Sequence, residues 1–352
     1  MSAPTARQRD PGIDAIRAVA IVLVMLGHAR GIPDVFQRLV FSFHVPLFFL
    51  LSGWLAVAHG RARGDLAFVS RLARSLLLPY LGFFLAAYAY WLATRNIGGK
   101  ALRWGELPWW DPLLGALAGS GPGLYVQPAL WFLPALFVTA LAFRGLVRRL
   151  PARWLALGAI GLCCAWIAAI LPLPARLPWS LDVLPVSLCF YALGAALAAH
   201  GRTLARVFPA WGALLLVAAW LPLAWFNGRV DINLLRFGSS AFAFVAAALL
   251  GTAVAIQVAT RMHHWPALGW IGRNTLLLLG IHFPVFFVLS GVRAMAGIES
   301  PPGLGWALVV TLVALVGAVP ARWLLLRLAP WMLGQGGPDA TRASRAPQAQ
   351  PR

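Results

Sequence analysis

A succession of long apolar runs constrains this chain more than any other feature. Lipid offers no hydrogen-bond partners, so a segment in its interior must be a helix or a strand of a closed barrel. A membrane helix takes about 20 mostly apolar residues, and on that template the sequence carries about ten runs. They fall at 13–29, 41–58, 76–93, 124–143, 155–171, 183–199, 209–226, 238–258, 272–290 and 304–324. Prolines 172, 174, 178 and 185 crowd the connection between the fifth and sixth runs. Only 11% of the 352 residues are charged, against about 25% in soluble domains, and the mean hydropathy is +0.78. The expectation is an all-α, polytopic integral membrane protein with about ten transmembrane helices. No small-residue cleavage site follows the first run, which therefore reads as a span and not as a cleaved signal peptide.

The formal net charge is +19, but the basic residues punctuate apolar runs and form no patch, which argues against a nucleic-acid partner. They follow the positive-inside pattern. With the N-terminus in the cytoplasm, one side collects Arg7, Arg9, Arg61, Arg63, Arg71, Arg74, Arg144, Arg148, Arg149, Arg153, Arg202, Arg206, Arg261, Arg273, Arg322, Arg327 and the tail arginines. The other side holds roughly half as many. Both termini are expected in the cytoplasm. Residues 1–12 form a short N-terminal segment, 13–326 the membrane domain, and 334–352 a tail whose Gly, Pro, Ala, Gln and Arg content reads as disordered. Cys163, Cys164 and Cys189 lie in apolar runs and read as small buried hydrophobes. No metal-ligand spacing and no Gly-x-Ser-x-Gly elbow occurs, so no metal is expected.

Ionisable groups inside spans are costly and point to function. Arg17 and His28 share the first run, eleven positions apart. At about 100° and 1.5 Å per residue they face one side, about 16 Å apart along the axis. His44 begins the apolar part of the second run, where Pro46 is expected to free a carbonyl, and Ser52 and Gly53 allow close helix approach. It reads as structural or as pocket-lining. His282 falls in the ninth run after Arg273, Asn274 and Thr275. In an unbroken helix Arg273 and His282 occupy opposite faces, with Asn274 about 80° from His282. Asp14 reads as a helix-end acid or a partner of Arg17. Asp182 reads as an N-cap or as the orienter of a histidine. Gln127 and Trp131, in a helix start that Pro128 and Pro134 are expected to disturb, are a candidate cavity wall. The segment 94–123, with Trp104, Trp109 and Trp110, reads as interfacial or as a lid. Histidine suits proton abstraction from a hydroxyl and arginine suits phosphate. These groups fit an acyl- or phosphate-bearing donor, and equally a proton-coupled transporter.

The first run with Arg17 and His28, Phe43-His44-Val45-Pro46-Leu47-Phe48-Phe49-Leu50-Leu51-Ser52-Gly53, Leu130-Trp131-Phe132-Leu133, and Gly272-Arg273-Asn274-Thr275 with His282 together resemble the integral-membrane acyltransferase 3 family. The wording is most similar to its fucose 4-O-acetylase and exopolysaccharide or nodulation-factor sugar acetyltransferase branch. The resemblance spans roughly residues 10–326. It implies acetyl transfer from cytoplasmic acetyl-CoA to a carbohydrate hydroxyl, with His28 as catalytic histidine and Arg17 contacting the donor or holding His28. It also implies His44 and His282 at the site, and Arg273 and Asn274 with the inner arginines Arg71 and Arg74 near the donor. A carbohydrate or lipid-linked oligosaccharide acceptor, membrane lipids and polysaccharide-assembly proteins are the implied partners. A bacterial inner membrane is the implied location.

Overall fold

The computed structural model describes residues 10–58, 64–169, 176–200 and 212–334. Among them, nine helical stretches are long and apolar enough to cross a membrane. The expected seventh run supplies a shorter helix, Ala213–Asn227, of 15 residues, so the count of about ten becomes nine spans and one short apolar helix among the described residues. The chain is thus an all-α polytopic membrane protein. Its only described strands are β1 (Val230–Asp231) and β2 (Arg236–Phe237), a two-rung antiparallel ladder in a loop. Prolines 172 and 174, arginines 7, 9, 61, 63, 202 and 206, and residues 335–352 of the expected tail lie outside the described residues.

Helix α1 runs Pro11–His28. Asp10 caps it by accepting the Gly12 N–H at 2.8 Å, and Pro11 opens it where a missing N–H is harmless. The second run, 41–58, holds α3 (His44–Ala58), and α2 (Asp34–Phe41) leads into it. Pro46 stands in the first turn of α3, a position that proline tolerates. Helix α4 (Asp65–Thr94) carries Arg71 and Arg74 in its early turns. The connection after it folds into α5 (Gly99–Trp104) and α6 (Asp111–Ala118). Two 3-10 turns, Gly121–Leu124 and Pro128–Trp131, lead into α7 (Phe132–Val147).

Helices α8 (Ala152–Ala169) and α9 (Leu184–Ala199) pack together and bury the free Cys163, Cys164 and Cys189. α3 crosses α9 at close range. A Cβ on Gly53 would overlap the Tyr191 carbonyl, and one on Gly194 would overlap that of Leu50. Small residues let backbones touch where lipid gives helices no hydrophobic reason to associate. Then come α10 (Ala213–Asn227), α11 (Ala241–Arg261), α12 (Pro266–Arg273), α13 (Thr275–Met295) and α14 (Leu304–Leu328). Asn274, at φ −111 and ψ 22, separates α12 from α13. The ninth run is thus broken, and the opposite-face relation of Arg273 and His282 expected of an unbroken helix does not apply. α12 lies tight on α1, for a Cβ on Gly272 would overlap the Asp14 carbonyl.

Candidate active site

A cavity of about 620 Å³ runs between α1, α3, α4, α7 and the α12–α13 junction. Arg17 and His28 both line it, so the face shared in sequence is a face shared in space. His28 is the last residue of α1, and its ring sits among aromatics from three elements. Phe41 approaches to 5.4 Å between centroids and Phe283 to 5.0 Å. His282 stacks at 5.9 Å with 25° between planes, and His44 stands edge-on at 6.4 Å. The three histidines singled out in sequence thus meet at one point.

Their backbone bonds orient them. His44, the first residue of α3, donates from Nδ1 to the Val40 carbonyl at 2.9 Å. His282 donates from Nδ1 to the Leu278 carbonyl at 2.9 Å. A carbonyl only accepts, so each neutral ring carries its proton on Nδ1 and presents a lone pair on Nε2. His44 lines the cavity. His282 stands behind His28, fully buried, with its Nε2 unpartnered.

At the Arg17 end, the cavity wall includes Gly272, Arg273, Thr275 and Ser75. Asp14 is buried there, with Arg273 at 3.7 Å. It does not cap α1, a role that Asp10 fills. Asn274 donates from Nδ2 to the Trp270 carbonyl at 2.8 Å and does not itself line the cavity. Arg71 and Arg74 are exposed on α4 outside the cavity; Ser75 and Leu76, next along the helix, line it.

The other end is built from loops. Arg103, Tyr125, Asp231 and Asn233 line it, and nothing in sequence periodicity marked them. Trp131 lines the cavity as expected of its segment. Gln127 lies behind the wall and donates from Nε2 to the Gly280 carbonyl at 2.7 Å. Segment 94–123 divides: Arg103 faces the cavity, while Trp109 and Trp110 are exposed. Asp182 is neither N-cap nor histidine orienter. Its two oxygens take the Arg176 fork at 2.6 and 2.9 Å, and it also accepts the Leu177 N–H at 3.0 Å. The same guanidinium donates to the Asn233 carbonyl, and the Asn233 side chain accepts the Gly121 N–H at 3.1 Å. Three loops are thereby locked into one rim. Asp231 caps the turn beneath it by accepting the Leu234 N–H at 3.2 Å, and burial pushes its carboxyl above the usual carboxylate range.

The arrangement places guanidinium groups and two of the three clustered histidines on one mostly apolar cavity, which suits proton transfer beside an anion-binding end. Among the described residues, no group of three or more His, Cys, Asp and Glu side chains is placed to hold a metal ion. No curated protein and no solved structure matches the chain. The acyltransferase domain family Acyl_transf_3 matches residues 10–323, which takes in every cavity-lining residue named above. By that match, and with nine helices among the described residues long and apolar enough to cross a membrane, this chain belongs to an acyltransferase family acting at membranes, whose chemistry is linked to acyl-CoA.

Proposed function

We propose that this protein transfers an acetyl group from cytoplasmic acetyl-CoA to a hydroxyl of a carbohydrate, either a cell-surface or exported glycan or its lipid-linked precursor. The observation that carries the reading is the single cavity that joins Arg17 and Arg273 at one end to His28 and His44 further along, in a chain of an acyltransferase family. Guanidinium forks match phosphate oxygens in pairs, so the Arg17 end takes the donor's phosphates and faces the cytoplasm. Arg71 and Arg74, outside the cavity, add long-range attraction for the anionic donor. The loop-built end takes the acceptor. With α10 as a short tenth crossing, both termini lie in the cytoplasm, which the arginine distribution favours, and the Ala-, Arg-, Gly- and Pro-rich composition fits a bacterial inner membrane.

His28 is the general base. It takes the proton of the acceptor hydroxyl as that oxygen attacks the thioester carbonyl carbon. The carbon–sulfur bond breaks, and the CoA thiolate leaves with the proton that His28 returns. The products are the O-acetyl ester and CoA. His44, fixed through Nδ1, turns its Nε2 lone pair toward the hydroxyl's approach. Membrane lipids surround the chain, and proteins of polysaccharide assembly supply the acceptor.

The test follows acetyl-labelled acetyl-CoA into glycolipid and polysaccharide fractions of membranes carrying the protein. Label that appears with the native chain and vanishes with His28→Ala supports the reading, and the labelled fraction identifies the acceptor. Equal labelling with both chains removes His28 from catalysis. Substrate movement across sealed vesicles without CoA release replaces the reading with a transporter.

A further inference from the structure

Pro284 stands inside α13. A proline has no N–H for the carbonyl four residues back, which here belongs to Gly280. An opened carbonyl at the surface is met by water, but Gly280 is buried and a Cβ on it would overlap the Phe83 ring. Gln127 meets this carbonyl instead. Its side chain, 0% exposed, donates from Nε2 at 2.7 Å. Gln127 is itself held between the two 3-10 turns. Its N–H donates to the Leu124 carbonyl at 3.0 Å, and its carbonyl accepts the Leu130 N–H at 3.2 Å. The turn of α13 that it grips carries His282 and Phe283, whose rings pack on His28 at 5.9 and 5.0 Å.

The same neighbourhood retains two buried acceptors with no donor, Gln127 Oε1 and His282 Nε2. Leaving such a group unpaired is unfavourable, and a scaffold contact made of apolar side chains would carry neither. We propose that Gln127 is a positioning residue for the acyl-transfer step. It occupies the hydrogen bond that Pro284 leaves open and so fixes the turn of α13 whose His282 and Phe283 rings set the plane of the His28 ring. The inference rests on the reading of His28 as the base.

The test compares Gln127→Leu, Pro284→Ala and the double variant in the labelled-acetyl assay, with kcat expressed per folded molecule. Gln127→Leu removes the donor at similar size. Its kcat is expected to fall roughly 10- to 100-fold, the scale of a displaced catalytic group, with KM for acetyl-CoA unchanged. Pro284→Ala restores a backbone N–H to the Gly280 carbonyl. In the Gln127→Leu background it is expected to return kcat to within about threefold of Pro284→Ala alone, because the two changes act on one bond and are not additive. A native kcat in Gln127→Leu overturns the proposal, and so does a loss that Pro284→Ala leaves in place. If Gln127→Leu fails to accumulate, the double variant is compared with Pro284→Ala alone: matching kcat values support the tether, and a kcat 10-fold or more lower in the double variant overturns it. His28→Ala run alongside separates the levels. Activity surviving it overturns the catalytic reading, whereas an inactive His28→Ala beside an unaffected Gln127→Leu overturns the tether alone.

Discussion

The two ends of the cavity use arginine in opposite ways. At the Arg17 end, Arg273 is 45% exposed on its side chain and stands 3.7 Å from Asp14. A pair that open contributes about 0–1 kcal/mol, and the guanidinium keeps donors for a ligand. At the loop end, Arg176 is 19% exposed and Asp182 fully buried, with both carboxylate oxygens and a backbone carbonyl taken up by one guanidinium. Removing one partner of such a pair costs about 3–5 kcal/mol. The comparison shows that an arginine near a membrane cavity is not by that fact a ligand group. Its partners decide whether it recognises substrate or holds the wall.

Between the ends stands His28, and its loss should have the largest effect. His28→Ala is expected to lower acetyl transfer by about 10²- to 10⁴-fold, the range for general base catalysis, with folded protein undiminished. Product analysis of the labelled fractions checks it. Next comes the Arg17 end. Arg17→Ala and Arg273→Ala should each raise KM for acetyl-CoA by about tenfold or more and leave acceptor KM alone, with lysine a poor substitute for the planar fork. Initial rates with each substrate varied in turn would break the comparison if acceptor KM moved instead.

The loop end should respond in stability first. Asp182→Asn or Arg176→Ala is expected to destabilise by about 3 kcal/mol and to raise acceptor KM severalfold with donor KM intact. Thermal unfolding in detergent and the same kinetic split test this. A smaller effect is expected of Arg71→Ala and Arg74→Ala, which should change donor KM by less than about threefold at physiological salt and by less still at high salt. A larger, salt-resistant change would extend the donor site beyond the cavity.

The smallest effect belongs to Asp231. Its carboxyl is raised in the folded chain, so the folded state binds its proton more tightly than the unfolded one. The stability it contributes is fully present below its unfolded value of about 4 and is lost as pH rises through the folded value. Asp231→Asn keeps an oxygen for the Leu234 N–H and should flatten this part of the stability–pH curve, measured as Tm from mildly acid to neutral pH.

Periodicity and burial cost made much of the site legible. Arg17 and His28 stood out because a charge and an imidazole in an apolar run demand a reason, and helical geometry put them on one face before any contact was known. His44 and His282 stood out on the same ground. Arg103, Asp231 and Asn233 did not, since short elements and turns carry too few residues to show a period and the Asn233 contact with Gly121 spans 112 positions; Asp182 stood out, but its partner Arg176 did not. The break at Asn274 also escaped, because an apolar run that continues across a kink looks the same as one that does not. Asp14 stands in the first turn of α1, as its place in the sequence suggested, but its ion-pair partner Arg273 arrives from a remote part of the chain.

The sequence by itself determined that the chain is a bundle of membrane helices and that one face of the first carries an arginine and a histidine, because lipid leaves the backbone no alternative to the helix and the helix fixes which side chains align. Only the tertiary structure decided that three histidines from three separate runs meet, that one arginine is left open to a ligand while another is clasped by a buried carboxylate, and that Gln127 closes the gap left by Pro284. These depend on contacts between segments remote in the chain, where packing and the need to satisfy every buried polar group choose the partners.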